Sequence, residues 1–459
     1  MKKINLLILI ITLLISSFVF GISVQVKWHK KLDRLEFNQN ESGRWARVMM
    51  HMHSVFSHDA CDNKPMEVKE NGEIKVNKDC LKDFKKAQCD HHVDAVFLTE
   101  HRKYFSEYAF QKIIQAYDLD QYRVERAMFT GGVINCDDNH QVEVIPGSEN
   151  RLMTFGLKKH PERKKGWEME WIYDAIDAEN IEIFRRTGAI VGAPHMEKDK
   201  YTLELLKMIK PEAVEMYNLH ANIKSVFVDK NIWKITNFIR HTLGFIFNPL
   251  IQTDLWMLVF LELDEKKTLT KWAQLVMHQK TTGIVGSDIH QNILPIKMKD
   301  GERLGGYLRM GRWFSNYVYL PSGNLNRDNL ISSIVDGRVL GVFEILGIPK
   351  DFEFYIETEN GEFPMGSEIA FKEGMLIRVK RPSNSPDYTY ISLLKATDNG
   401  WKLVKQSKQR KLTFYVKEKG VYRVQINVKA LHLWKFMYTK YNIANKVFPW
   451  VMSNPIYLR

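Results

Sequence analysis

Five short apolar runs in this chain each end in side chains that can bind metal ions. Arg47-Val48-Met49-Met50 runs into His51-Met52-His53, and Asp94 to Thr99 leads to Glu100-His101. Val142 to Ile145 is followed by Pro146-Gly147-Ser148-Glu149-Asn150, and Ala189 to Ala193 by Pro194-His195. Thr282 to Gly286 ends in Ser287-Asp288-Ile289-His290. Neutral imidazole and carboxylate are ligands for Zn, Mn and Fe. Alternate residues on a strand share a face, so His51 with His53, and Asp288 with His290, can reach one site together. A single histidine is more often a satisfied surface or core residue; His29, His91, His92, His140, His241 and His432 read that way. The same residue class at five separate strand ends is hard to obtain by chance.

The elements that must carry these residues alternate. A sixth apolar run, Ala213 to Tyr217, joins the five. Helical patterns separate the runs: Leu81 to Ala87, Ala109 to Leu119, Trp167 to Arg186, Thr202 to Ile209 and Leu269 to His278. Strands alternating with helices predict parallel βα units, in a β/α barrel or a large doubly wound sheet. In both, the site lies at the carboxyl ends of the strands, where these ligand types occur. Residues 221–267 form a long insertion with two strongly apolar stretches, Phe238 to Ile251 and Trp256 to Leu263, and read as a helical cap. A lid facing a membrane or a lipid-like substrate is the sharper alternative. From residue 335 the texture changes to short alternating runs between Gly and Pro turns, which predicts a small β-sandwich through residue 459 with an aromatic tail packed back on the core. No P-loop, dinucleotide fingerprint or nucleophile elbow occurs.

The chain has 459 residues, 45% apolar and 26% charged, which excludes collagen-like and wholly disordered classes. Its net charge of +12 forms no basic arm, so no nucleic acid is expected as a stable partner. Lys2 and Lys3 precede an almost unbroken apolar run from Ile4 to Phe20, which reads as a signal peptide or membrane anchor over residues 1–22. The expected location is therefore periplasmic, extracellular or membrane-anchored. There Cys61, Cys80, Cys89 and Cys136 can pair, with partners that the sequence does not give.

The order of motifs resembles the PHP superfamily, named for polymerase and histidinol phosphatase. His51-Met52-His53 looks like its first motif, Leu98-Thr99-Glu100-His101 its second, and Pro146-Gly147-Ser148-Glu149 its third. Ala193-Pro194-His195 and Ser287-Asp288-Ile289-His290 are similar to the last two. The long C-terminal extension, closing in Trp450 to Tyr457, suggests a branch with carbaryl-type ester hydrolases. The resemblance implies an α/β fold, a distorted (β/α)7-type barrel over residues 44–325. It implies two or three divalent metal ions (Zn, Mn or Fe) and hydrolysis, most often of phosphoesters. It implies His51, His53, His101, Glu149, His195, Asp288 and His290 as ligands. Where the family often has an Asp after its first motif, this chain has His58 followed by Asp59; either can bind metal, and His58, as the aligned residue, is favoured as the eighth ligand. Glu149 would bridge metals. Asp288 or a histidine such as His195 would take a proton from water. Arg102, Arg151, Asn218 and His220 are candidates for the substrate, with Arg309 and Arg312 also near motif ends. The expected function is an exported metal-dependent hydrolase acting on a small phosphoester. The alternatives are a carboxylic or carbamate ester hydrolase on the same metals, and a cell-surface binding protein with a vestigial site.

Overall fold

The computed structural model describes residues 43–459 apart from 69–72, 229–231 and 439. The expected signal or anchor segment lies outside these. Among the described residues no helix is long and apolar enough to cross a membrane.

The apolar runs form the expected strands. β1 (Arg44–Met52), β2 (Ala95–Leu98) and β3 (Gln141–Ile145) pair in parallel, and β1 also pairs antiparallel with β9 (Ser315–Leu320). A second sheet holds β4 (Gly147–Glu149), β5 (Met153–Phe155), β6 (Ile190–Ala193), β7 (Ala213–Asn218) and β8 (Thr282–Gly286), with β6, β7 and β8 parallel. Both faces of these strands are covered, which is why the runs are continuously apolar. Helix α1 (Lys78–Asp90) starts where the Asn77 side chain accepts from the Cys80 amide at 3.1 Å, and it buries Leu81, Phe84 and Ala87. Helix α2 (Ala178–Arg186) is capped in the same way by Asp177. Helices α3 (Leu203–Ile209), α4 (Leu219–Val228), α5 (Ile232–Phe247) and α6 (Thr268–Val276) follow. The insertion is helical as expected, made of α4, α5 and a 3-10 turn at Thr253–Val259.

Among the described residues no closed barrel sheet is found. Hydrogen bonding leaves two sheets, which touch at two isolated parallel bridges, Glu100 with Ser148 and Met52 with Ile289. Two local causes are visible. Pro146 separates β3 from β4 and has no N–H to continue a ladder. At the other seam asparagine side chains occupy the edge of β8 at Gly283 and Val285, and only beyond the strand do the Ser287 and Asp288 amides donate to the Met50 and His51 carbonyls of β1, at 3.1 and 2.6 Å. Asn316 accepts from the Val285 amide at 2.9 Å and donates to its carbonyl at 2.8 Å. Asn454 does the same at Gly283, at 2.7 and 2.9 Å. The two sheets nevertheless share one apolar cluster, including Val48, Phe97, Phe155 and Ile284 with Leu330 and Ile334 of α7 (Arg327–Val335).

β10 (Val339–Val342), β11 (Gly420–Lys429) and β12 (Val447–Ser453) extend the sheet that holds β1, β2, β3 and β9, giving thirteen strands. A separate four-stranded antiparallel sheet contains Glu353–Thr358, Gly361–Pro364, Leu376–Lys380 and Lys411–Tyr415. The four cysteines form two disulfides, Cys61–Cys80 and Cys89–Cys136. The first ties the loop after β1 to α1, and the second ties the end of α1 to the turn after the strand Met128–Asn135.

Candidate metal centre

The carboxyl ends of the strands deliver their polar residues into one buried cluster. β1 supplies His51, with His53 just beyond its end, and β4 supplies Glu149. His101, His195, Asp288 and His290 stand on the loops that follow β2, β6 and β8. His51, His195 and Asp288 all have left-handed backbone, with φ of 58°, 51° and 52°. Non-glycine residues pay strain there, and such conformations gather at functional sites.

The side chains fall into three groups whose donor atoms lie within 4.8 Å of one another. One is His51, Glu149, His195 and Asp288; another is His53, His101 and His290; the third is His220, Asp288 and His290. In the first, His51 Nε2 is 3.5 Å from Glu149 and 3.4 Å from Asp288, and His195 Nε2 is 3.1 and 3.5 Å from the same carboxylates. In the second, His101 Nε2 and His290 Nε2 are 3.3 Å apart. His53 Nε2 lies 3.6 Å from Glu149 and 3.3 Å from Asp288. Glu149 and Asp288 therefore stand between the groups, as bridging ligands would.

The other nitrogen of four of these rings is held by the protein. His51 Nδ1 bonds to Glu215, a buried carboxylate on β7. His53 Nδ1 donates to Ser57 Oγ at 2.8 Å, and Ser57 Oγ donates on to Glu100 at 2.7 Å. His101 Nδ1 donates to the Glu149 carbonyl at 3.0 Å and His290 Nδ1 to the Asp288 carbonyl at 2.9 Å. His195 is the exception: its Nδ1 is buried without a hydrogen bond, 3.3 Å from a Glu197 oxygen. Such contacts fix a ligand's tautomer and orientation. Nε2 of both His51 and His53 is buried with no hydrogen-bond partner. A buried polar atom without a partner costs about 1–3 kcal/mol, so its survival calls for an explanation. Converging imidazole and carboxylate donors that are aimed inward and left unpaired fit a divalent cation.

The electrostatics agree. Burial opposes charge on Glu149 and Asp288, yet the surrounding imidazoles hold both well below the ordinary carboxylate range. Burial likewise opposes protonation of His101 and His195, but Asp59 and Glu149 push His101 up to about 9, and Glu149, Glu197 and Asp288 push His195 up to about 10. His51 is raised well above normal, because Glu215, Asp288 and Glu149 outweigh its burial. His53 goes the other way, lowered by burial and by the neighbouring His290 and His101. The pocket is rich in negative charge and attracts positive charge of any kind.

Some residues lie elsewhere than the sequence suggested. The His58 side chain is 43% exposed and belongs to none of the three groups. Its neighbour Asp59 turns inward, 3.6 Å from His101 Nε2 and 3.5 Å from His290 Nε2. Glu100 does not face the ligands; its longer arm reaches Ser54, Ser57 and Tyr117. Arg102 pairs with Glu170 and Asp174. Arg309 and Arg312 are engaged by Asp254, Asp300 and Glu302. Asn218 is buried and donates to Glu215 at 3.1 Å. His220, on α4, lies 3.6 Å from Asp288. Arg151 is exposed near the centre, close enough to Lys200 that burial, Lys198 and Arg151 together lower the Lys200 ammonium against the pull of Glu149.

Glu215 is the residue that sequence reasoning passed over. Its signal was a carboxylate inside the apolar run Ala213 to Tyr217. It also accepts from the His195 amide at 2.6 Å, so one carboxylate positions two ligands. Gly286 makes room for it: a Cβ there would lie 1.8 Å from Glu215 Oε1.

No protein-family model and no curated protein matches the chain. A two-domain protein from Bacteroides vulgatus, whose crystal structure contains a predicted PHP-like metal-dependent phosphoesterase, is similar over 93% of this chain and 99% of its own, with 12% identity and a TM-score of 0.35. A likeness of that strength carries no conclusion about activity.

Proposed function

We propose that this chain is a metal-dependent hydrolase of small phosphoesters. The observation that carries this reading is the inward convergence of unpaired His51 and His53 Nε2 atoms on Glu149 and Asp288, with the opposite ring nitrogens tied down. A structural site needs about four ligands, and this cluster offers twice that number with carboxylates shared between groups. The motif order resembling the PHP superfamily supports the same reading.

His51, His195, Glu149 and Asp288 would hold one ion, and His53, His101 and His290 with Asp59 a second. His220 with Asp288 and His290 would complete a third. When bound, such ions supply Lewis acidity at the ester and a water acidic enough to react near neutral pH. The chain's own residues do the rest. Glu215 and Ser57 keep the imidazoles in register. Asp288, between groups, is placed to accept a proton. His220 and Asn218 border the same side of the centre, and Arg151 and Lys200 bring positive charge suited to a phosphoryl group. Those two cations favour a phosphoester over a carboxylic or carbamate ester, the runner-up on the same ligands.

We also read the chain as exported or anchored by residues 1–22. Two disulfides support an oxidising compartment.

The first test is elemental analysis after expression with excess Mn or Zn, expected to find two or three ions per chain. Finding none overturns the reading. With metal present, nitrophenyl phosphate, bis-nitrophenyl phosphate and nitrophenyl acetate separate the ester classes. Metal without turnover of any of these favours a binding protein.

A further inference from the structure

The insertion carries an exposed apolar face that the metal chemistry does not use. On α5, Ile232, Ile239, Leu243 and Phe247 recur at helical spacing, and Leu250 continues the stripe beyond the helix end. They are 42–66% exposed. The opposite face is anchored: Phe238 and Phe245 are buried, and Thr242 accepts from Trp256 Nε1 at 2.9 Å. The stripe is therefore held outward by packing on its other side.

A second segment meets it. The Gln252 amide donates to the Phe436 carbonyl at 2.8 Å, bringing the turn Ala430–Phe436 and the short helix Tyr441–Ala444 against the insertion. Trp434, Tyr438 and Tyr441 are about half exposed there, and the rings of Trp434 and Tyr441 lie 5.5 Å apart. Cations lie beside the helix: the Lys440 ammonium packs over Gly244 of α5, where an added Cβ would meet its Nζ at 2.7 Å. Burial and the charges of Lys440, Arg240 and Lys446 lower His241 to about 4, which places all three near this junction. None of the three has a carboxylate within ion-pair distance among the described residues. The sequence shows the same bias: residues 230–253 and 419–459 contain no Asp or Glu, and the second stretch has seven Lys and Arg.

We propose that the α5 stripe and the 434–446 segment form a docking surface for an anionic lipid bilayer. Aliphatic side chains on an amphipathic helix, Trp and Tyr at the rim, and Lys and Arg without counter-charges are what the headgroup boundary accepts. A second copy of the chain fits less well, because a two-fold contact would set the cationic rim against itself. The surface lies next to the proposed centre in the chain, since α4 carries His220 and leads into α5. It does not depend on the hydrolase reading.

The test uses the full chain and a site-specific probe, so that an N-terminal anchor cannot imitate the result. All four native cysteines are in disulfides, so Phe247→Cys provides a single thiol for an environment-sensitive fluorophore. Val124→Cys, 60% exposed on the strand Gln121–Glu125, is the control. With phosphatidylcholine–phosphatidylglycerol vesicles the probe at 247 should shift to the blue and the probe at 124 should not. Lys440→Glu and Lys446→Glu should each weaken the response roughly fivefold or more. Three results overturn the proposal. The protein pellets with vesicles while the 247 probe stays in water. Both probes shift alike. The 247 probe shifts without lipid as protein concentration rises, which would mean that a second copy covers the stripe.

Discussion

Strand β1 carries two buried polar clusters four residues apart, and they are built on opposite plans. Arg47 donates to Glu344 at 2.7 Å through Nε and also through Nη2, and its remaining donors reach the backbone at His91 and Gly311. Glu344 also receives Ser315 at 2.8 Å and Tyr317. Every strong group has a protein partner, and the cluster ties β1 to β9 and to the turn after β10. At His51 one ring nitrogen is satisfied by Glu215 and the other is left pointing at carboxylates without a bond. The satisfied cluster is a lock. The unsatisfied one, in the same strand and equally buried, has the donor set that a cation would fit. Burial and charge alone would not tell them apart; the count of unused donor atoms does.

The largest effect that could sharpen this contrast is expected at the ligands. His51→Ala or Asp288→Ala should lower metal content by elemental analysis and lower turnover by roughly 10³-fold or more, since metal contributes several kcal/mol to the transition state. Turnover at the native level in either variant would break the comparison. Glu344→Ala should instead cost about 3–5 kcal/mol of stability in denaturant titration, by leaving Arg47 buried and unpaired, while the folded fraction keeps its metal. Glu215→Gln sits between the two plans. It keeps the shape but loses the charge beside His51, and metal affinity should fall about 10- to 100-fold by competition with a chelator.

A pH titration separates the clusters more gently. His101 and His195 are raised to about 9 and about 10, so their contribution to stability is complete below the unfolded value near 6.5 and disappears as pH rises through 9 and 10. Metal-stripped protein should therefore lose thermal stability across that alkaline range, and saturating Zn or Mn should remove the dependence. The smallest expected effect is at His58→Ala, less than about twofold in turnover, against a clear loss of metal for Asp59→Asn. The reverse order would return His58 to the centre.

Much of the centre was legible because strand ends and ligand types coincide in the chain: His51, His53, His101, Glu149, His195, Asp288 and His290 all meet. What the sequence hid depends on local turns and distant contacts. Whether His58 or Asp59 faces inward is decided by a loop that bonds back to His290 and Gln291 through the Cys61 and Asp62 amides, at 2.9 and 3.1 Å. Glu215 was concealed by its apolar neighbours. The barrel reading came from counting βα units, but ring closure depends on β8, whose edge is taken by Asn316 and Asn454. The change in texture from residue 335 says nothing about whether a sheet continues across it, and β10, β11 and β12 do continue one.

Asn454 has a kinetic consequence as well. It holds Gly283 across 171 residues of chain, at the base of the strand that presents Asp288 and His290. While the chain is being made, β8 must wait for residue 454 before its edge is satisfied. Contacts of such separation form late because loop entropy must be overcome first. An unfinished chain would thus hold the seven proposed ligands that precede β8 without the finished strand that presents the last two. Cation capture then becomes a late event in the life of the molecule, after synthesis has passed this asparagine.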